Sequence, residues 1–227
     1  MNKVSAIILA AGSGSRFGEK KQFKKLNGKP IWAYSLHAFI KSKCVDDLIL
    51  VIPNESLGTF KQSQVFTSLN KKNNIKLVSG GEFRKDSVFN GLKAVKKAND
   101  IVCIHDAARP FIKSSYIKHS IEACSEFDGA IIAIPAVDTV KKADNQLIKN
   151  TFDRESLWMA QTPQTFKKEK LLYAIKMFSH LNITDESMLM EEAKFKIKLI
   201  EGDYFNFKIT NEIDWELAKV YVKGEKL

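Results

Sequence analysis

Cysteine is scarce in this chain. Cys44, Cys103 and Cys124 are its three cysteines in 227 residues, and their odd number, wide spacing and lack of any C-x-x-C pair exclude a disulfide framework and a structural zinc site. Buried thiols in a reducing compartment are the expectation. No apolar run reaches the roughly 20 residues that cross a bilayer. The N-terminal run from Val4 to Ala11 follows one lysine, Lys3, and reads as a buried strand rather than a secretion signal. Cytoplasmic location and no membrane partner are therefore expected. Pro-, Gly- or Ser-rich linkers and internal repeats are absent too, which leaves a single domain over residues 1–227, long enough to bury one substantial core. Acidic residues are in deficit, 26 against 36 Lys and Arg, for a formal net charge of +10, and that excess favours an anionic partner. The lysines (Lys20, Lys24, Lys25, Lys71, Lys72, Lys96, Lys97, Lys141 and Lys142 among them) are scattered. Without a long basic run or an aromatic platform, nucleic acid is not the expected anion.

What is present is a rhythm of β-branched runs alternating with helical segments, the mark of βαβ units around a mostly parallel sheet. Val4 to Leu9, Leu48 to Ile52, Ile75 to Val78, Ile101 to Ile104 and Ala130 to Ile134 read as strands. Ile31 to Ile40, Leu57 to Leu69, Lys85 to Lys97 and Ser115 to Phe127 read as helices from their spaced apolar positions. The fold class is α/β, one doubly wound layer structure. From Ala136 to Phe166 the rhythm breaks into alternating apolar and polar residues, which predicts a protruding β-arm. Beyond it, helices are expected at Lys168 to Met177 and Asp185 to Ala193, with Thr184 as N-cap of the latter. Strands follow at Lys196 to Ile200 and Phe205 to Ile209, and a helix at Glu212 to Val222. That last helix lies close to residue 227, so no second enzyme is expected to be fused behind it.

The first strand runs into Ala10-Ala11-Gly12-Ser13-Gly14-Ser15-Arg16-Phe17-Gly18, followed by Lys20-Lys21-Gln22. Glycines let backbone N–H groups approach phosphate oxygens, and Arg16 and Lys21 carry charge suited to a triphosphate. A glycine-rich turn after a first strand is weak evidence alone, since any tight strand-to-helix connection favours glycine. It is neither a Walker loop nor a full G-x-G-x-x-G fingerprint.

Taken with the blocks that follow it, the loop becomes specific. The Leu9-to-Arg16 start with a nearby lysine resembles the nucleotidyltransferase superfamily that activates sugars as nucleoside diphosphates, with Lys20-Lys21 standing where that superfamily has Pro-Lys. Gly80-Gly81-Glu82-Phe83-Arg84-Lys85-Asp86-Ser87-Val88 and His105-Asp106-Ala107-Ala108-Arg109-Pro110 narrow the likeness to its cytidylyltransferase branch. Asp138-Thr139-Val140-Lys141, Asp153-Arg154, Leu157-Trp158-x-Ala160-Gln161-Thr162-Pro163-Gln164, Thr184-Asp185-Glu186 and Asn206-Phe207-Lys208-Ile209-Thr210 narrow it again. Their order along nearly the whole chain is similar to the 2-C-methyl-D-erythritol 4-phosphate cytidylyltransferase family of the non-mevalonate isoprenoid pathway.

The resemblance implies a Rossmann-like nucleotidyltransferase fold, transfer of CMP from CTP to methylerythritol phosphate with release of pyrophosphate, Mg2+ as cofactor, and a homodimer whose arms exchange. It implies Arg16, Lys21 and Lys208 as catalytic residues. CTP would be bound by Ala10, Ala11, Gly12, Gly14, Gly81, Glu82, Ser87, Asp106 and Arg109, with Asp106 also at the metal. Thr139, Arg154 and Thr162 would contact the polyol phosphate. The residues alone allow plainer readings of several of these: Asp106 as the start of a turn, Arg109 as a loop brace, Lys208 as a surface lysine. His37, His119 and His180 lack partners at metal-ligand spacing, and His105 reads as a structural hydrogen-bonding residue. Trp32, Trp158 and Trp215 read as packing anchors, and Ser87 has no histidine arranged as in a hydrolase. A ribitol 5-phosphate cytidylyltransferase is the nearest rival. A non-catalytic nucleotide- or RNA-binding protein is the rival of another class.

Overall fold

The computed structural model describes residues 2–12 and 21–224, with only the backbone of Lys21. In chain order the strands are β1 (Val4–Leu9), β2 (Lys25–Leu26), β3 (Lys29–Pro30), β4 (Asp47–Ile52), β5 (Lys76–Ser79), β6 (Ile101–Asp106), β7 (Gly129–Pro135), β8 (Lys141–Asp144), β9 (Leu147–Thr151), β10 (Trp158–Lys167) and β11 (Ile197–Glu201). The helices are α1 (Ile31–Ser42), α2 (Leu57–Lys61), α3 (Gln64–Asn73), α4 (Arg84–Ala94), α5 (Ser114–Glu122), α6 (Lys168–Phe178), α7 (Glu186–Glu192) and α8 (Glu212–Gly224).

Seven strands form one sheet in the order β11-β7-β10-β6-β1-β4-β5. All neighbours are parallel except β10, which runs antiparallel to both β6 and β7. Its central strands are apolar on both faces because helices cover both. Ala6 and Ile8 pack with Leu36, Phe39 and Ile117 of α1 and α5, whereas Ile7 between them packs with Val88 of α4 and Leu189 of α7. A third cluster seats α8, through Trp215, Ala218 and Val222, against Leu26, Ile31 and Phe111. Chain order reverses between β1 and β6, and open α/β sheets bind ligands in the crevice at the carboxyl ends of such strands. No helix among the described residues is long and apolar enough to cross a membrane.

The α/β reading and the strand positions from the sequence hold, with four differences. The helix expected at 57–69 is two, because Ser63 accepts the Phe66 amide and starts α3 afresh. The N-cap of α7 is Asp185, whose carboxylate accepts from Met188 N–H, rather than Thr184. Phe205 to Ile209 alternates like a strand but is a loop, which touches the sheet region through Ile209 N–H on the Ala108 carbonyl at 2.8 Å. The stretch from 136 to 166 contains the exposed hairpin β8-β9, but Trp158–Lys167 then returns as a strand of the central sheet. Thr162 therefore belongs to the sheet and not to an arm. Unanticipated from the sequence was the small β2-β3 hairpin, closed by Asn27 and Gly28 at φ 46° and 77°. Two successive positive φ values are what a tight hairpin turn requires, and Asn-Gly supplies them with least strain.

Helix α4 lies so close to the sheet that a Cβ on Gly91 would stand 2.6 Å from Ile7 Cγ2 and 3.3 Å from Val51 Cγ2. Alanine would gain about 1 kcal/mol in helix propensity, but overpacking against a buried β-branched strand costs about 1–3 kcal/mol. We expect Gly91→Ala to lower the melting temperature, measured by calorimetry; a rise would show that α4 can move away from the sheet freely.

Candidate active site

The register places Leu9, the last residue of β1, beside Asp106, the last of β6, and Ala107 N–H donates to the Leu9 carbonyl at 3.0 Å. Ala10 continues outward, tied through its N–H to Val51 O at 2.7 Å. Gln22 then holds the Gly12 carbonyl at 2.8 Å, across the base of the glycine-rich loop. Gly14, Arg16 and the Lys21 side chain lie outside the described residues. Facing this turn is the segment before α4. A Cβ on Gly80 would fall 2.4 Å from the Ala11 Cβ, and one on Gly81 2.3 Å from the Asp86 Cβ, so both positions require glycine for close approach. The Ser87 hydroxyl accepts the Gly81 N–H at 3.1 Å, while Glu82 is exposed. Ala10, Ala11, Gly81 and Ser87 thus line one seam of small groups.

Asp106 is the centre of charge. Its Oδ1 lies 3.3 Å from Arg84 Nε and its Oδ2 2.6 Å from Lys208 Nζ. Burial alone would raise its pKa, but the two cations outweigh that and hold the carboxyl well below the usual range. Arg84, the first residue of α4, also donates through Nη1 to both oxygens of Glu186, at 2.7 and 2.9 Å. Glu186 opens α7 and is itself buried; burial pushes it up while Arg84 pulls it part of the way back. Burial works against the Arg84 charge, but Asp106 and Glu186 together keep it firmly protonated. Arg109 adds a third cation near Asp106, while Asp185 stands close enough to Glu186 to raise it further.

Arg109 braces the loop. It donates through Nη1 to Asn206 O at 2.9 Å and through Nη2 to Ala160 O at 3.4 Å, and its buried Nε has no partner among the described residues. Burial pushes its guanidinium pKa down. Asn206, wholly buried, donates to Gln161 Oε1 and to the Thr162 carbonyl, which fixes the loop that delivers Lys208. Between Ala160 and Gln164 the chain of β10 advances four residues while β7 advances two, from Ala133 to Ile131. That irregularity lets Gln161 bond the 203–206 loop while Thr162 accepts the Asp106 N–H at 3.0 Å. His105 is fully buried behind them, and burial pushes its pKa down to about 4.

Of the residues expected at a site, Ala10, Ala11, Gly12, Gly81, Ser87, Asp106, Arg109, Thr162 and Lys208 converge at the carboxyl ends of β1 and β6. Thr139 and Arg154 do not. Both are exposed at the root of the hairpin, and Arg154 donates to the Val137 carbonyl at 2.8 Å. Sequence reading gave no role to Arg84 or Glu186. The available signal was their opposite charge at the starts of two helices within otherwise recognisable blocks.

Comparison with known proteins agrees with this geometry. The family model for IspD, 2-C-methyl-D-erythritol 4-phosphate cytidylyltransferase, matches residues 4–224. The protein of that name from Dictyoglomus thermophilum is 42% identical over 219 residues, covering 94% of each chain. A bifunctional IspD/IspF enzyme from Desulfotalea psychrophila is 37% identical over 228 residues; the match takes in all of this chain but 58% of that relative, so the chain spans little over half of it. Among solved structures, the 4-diphosphocytidyl-2C-methyl-D-erythritol synthase of Anaerococcus prevotii superimposes with a TM-score of 0.84 at 30% identity, over 98% of this chain and 99% of the other.

Proposed function

This chain belongs to the 2-C-methyl-D-erythritol 4-phosphate cytidylyltransferase family, and from that premise we propose how its own residues transfer CMP from CTP to methylerythritol phosphate. It is a nucleotidyltransferase of isoprenoid precursor synthesis. An oxygen of the substrate's phosphate attacks the α-phosphorus of CTP; the new O–P bond forms as the bond to the β-phosphate oxygen breaks, and pyrophosphate leaves. A phosphate monoester is already largely ionised at neutral pH, its second pKa being about 6. No general base is needed, which agrees with a histidine that is neutral and sealed inside the sheet. The protein's task is positioning and charge stabilisation.

The observation that carries this reading is the Asp106 carboxylate at the mouth of β6, paired with Arg84 and Lys208 beside the turn of Ala10 to Gly12. The triphosphate lies along the glycine-rich turn, with Arg16 and Lys21 on its oxygens and Lys208 completing the cationic rim. Ala10, Ala11, Gly81, Glu82 and Ser87 surround the cytosine, where mostly small residues bring backbone groups within reach of a flat ring, while Gly12 and Gly14 lie with the triphosphate. Arg109 serves CTP by holding the loop that carries Lys208 rather than by direct contact.

The donor set suits a divalent cation, Mg2+ in our reading. The described residues hold no group of three His, Cys, Asp or Glu side chains able to cage a metal. One firmly ionised carboxylate, Asp106, is the kind of single protein ligand that Mg2+ takes beside substrate phosphates. When bound, the ion neutralises charge on phosphate oxygens.

Thr162 meets the polyol phosphate from the same chain, whereas Thr139 and Arg154 meet it from a second subunit. Support comes from the hairpin, where Leu147 is 68% and Ile148 66% exposed at the start of β9. An exposed two-stranded hairpin is marginal alone, and its bare Leu147-Ile148 pair among polar neighbours suits a partner's surface. A homodimer of exchanged arms follows, with the three free thiols suited to the cytoplasm.

Two outcomes are expected. Pyrophosphate release, measured for every pairing of CTP, UTP, ATP and GTP with methylerythritol and ribitol phosphates, should be fastest for CTP with methylerythritol phosphate; equal rates with UTP, or faster reaction of ribitol phosphate, contradict the assignment. Lys21→Ala and Arg154→Ala should each be inactive alone, yet regain roughly a quarter of wild-type activity when co-expressed, because random pairing makes about half the dimers mixed, each with one intact site. Mixed dimers confirmed by mass and still inactive would place Arg154 in its own subunit's site.

A further inference from the structure

His105 precedes Asp106 on β6 and has no access to solvent. One face of its ring lies against Phe39, with centroids 5.3 Å apart. Its Nε2 is 3.1 Å from the Arg109 carbonyl oxygen, and a carbonyl only accepts, so Nε2 carries the ring proton. The neutral imidazole then offers Nδ1 as an acceptor. Thr162 Oγ1, 3.1 Å away, donates to it, and the same oxygen accepts the Asp106 backbone N–H at 3.0 Å. The amide itself fixes the Asp106 bond, and the Arg109 carbonyl, with the ring neutral, fixes the other two.

We propose that His105 is a positioning residue for the transfer reaction: through Nδ1 it fixes the orientation of the Thr162 hydroxyl, and through Nε2 it anchors the Arg109 turn, so that Asp106 and Thr162 meet the substrate in one arrangement. The inference rests on the function proposed above and adds a prediction about recognition. The single proton of Thr162 points inward to His105, and one of its lone pairs faces Asp106 N–H. A substrate atom that meets Thr162 Oγ1 must therefore be a donor, as a polyol hydroxyl is and an ionised phosphate oxygen is not.

Two experiments separate this role from plain packing. In 15N-labelled wild-type protein, the imidazole spectrum of His105 should show the neutral tautomer protonated at Nε2; a ring protonated at Nδ1, or at both nitrogens at neutral pH, overturns the inference whatever the enzyme's activity. In steady-state kinetics, His105→Phe, which keeps the ring volume but neither nitrogen, should raise KM for methylerythritol phosphate about tenfold, the effect of one aligned hydrogen bond lost from a site. KM for CTP should move less than about threefold. A reduced folded fraction would change neither KM. His105→Asn keeps an acceptor near the Nδ1 position and should recover most of the loss. Thr162→Val should match His105→Phe, and combining the two should add little, since both break the same bond. If His105→Asn is as impaired as His105→Phe, or if the two losses simply add, His105 does not act through Thr162. A wild-type protein that releases no pyrophosphate with any polyol phosphate overturns the functional reading instead, and the tautomer still decides the hydrogen-bond pattern.

Discussion

A carboxylate buried at the end of a strand is costly unless cations meet it, and Asp106 is met by two. Much of the site can be read as the consequence. Arg84 must reach Asp106 from the first turn of α4, which fixes how α4 leaves the Gly80-Gly81 turn. Lys208 must reach it from a loop more than a hundred residues further on, which requires the Arg109 and Asn206 bonds that pin that loop. Arg84 in turn draws in Glu186, so the start of α7 is tied to the same charge. The starts of α4 and α7 and the 206–208 loop are thereby held around one negative group.

The sheet supplies the frame in which this is affordable. Strands β1 and β6 are apolar on both faces and covered by helices, so their carboxyl ends are rigid and their registers fixed by packing. The antiparallel strand β10 adds what a purely parallel sheet would lack, since its irregular stretch carries Gln161 and Thr162 into contact with the 203–206 loop and the Asp106 backbone. The exposed β8-β9 hairpin leaves the sheet between β7 and β10, so a partner that covers it also borders the strand that bears Thr162.

How much was legible beforehand varied with the kind of signal. Val4–Leu9 and the other central strands were plain, because fully buried strands are continuous β-branched runs. The Gly80-Gly81 turn and Asp106 stood out because close backbone approach and a carboxylate after a strand leave residue-level marks. Phe205 to Ile209 misled, since alternation of apolar residues also arises where a loop buries Phe207 and Ile209 beside α8, and only long-range bonds distinguish the two. Trp158 to Phe166 reads as part of the arm in the sequence because its pairing partners, β6 and β7, are set by topology rather than by local pattern. Arg84 and Glu186 were passed over for a related reason. A charged residue on a helix reads as solvated surface until the residue opposite it, here 102 positions away, is known.

The central claim is that the charge of Asp106 organises the reacting groups. Asp106→Asn retains the shape, keeps one of the two acceptor oxygens and removes the charge. The measurement is the single-turnover rate of CMP transfer to methylerythritol phosphate per folded molecule, with the melting temperature recorded on the same sample. The account predicts a rate at least about 100-fold below wild type, the scale on which one preorganised charge acts, together with a lowered melting temperature as Arg84 and Lys208 lose their shared partner. A folded Asp106→Asn enzyme that transfers CMP at the wild-type rate would contradict it.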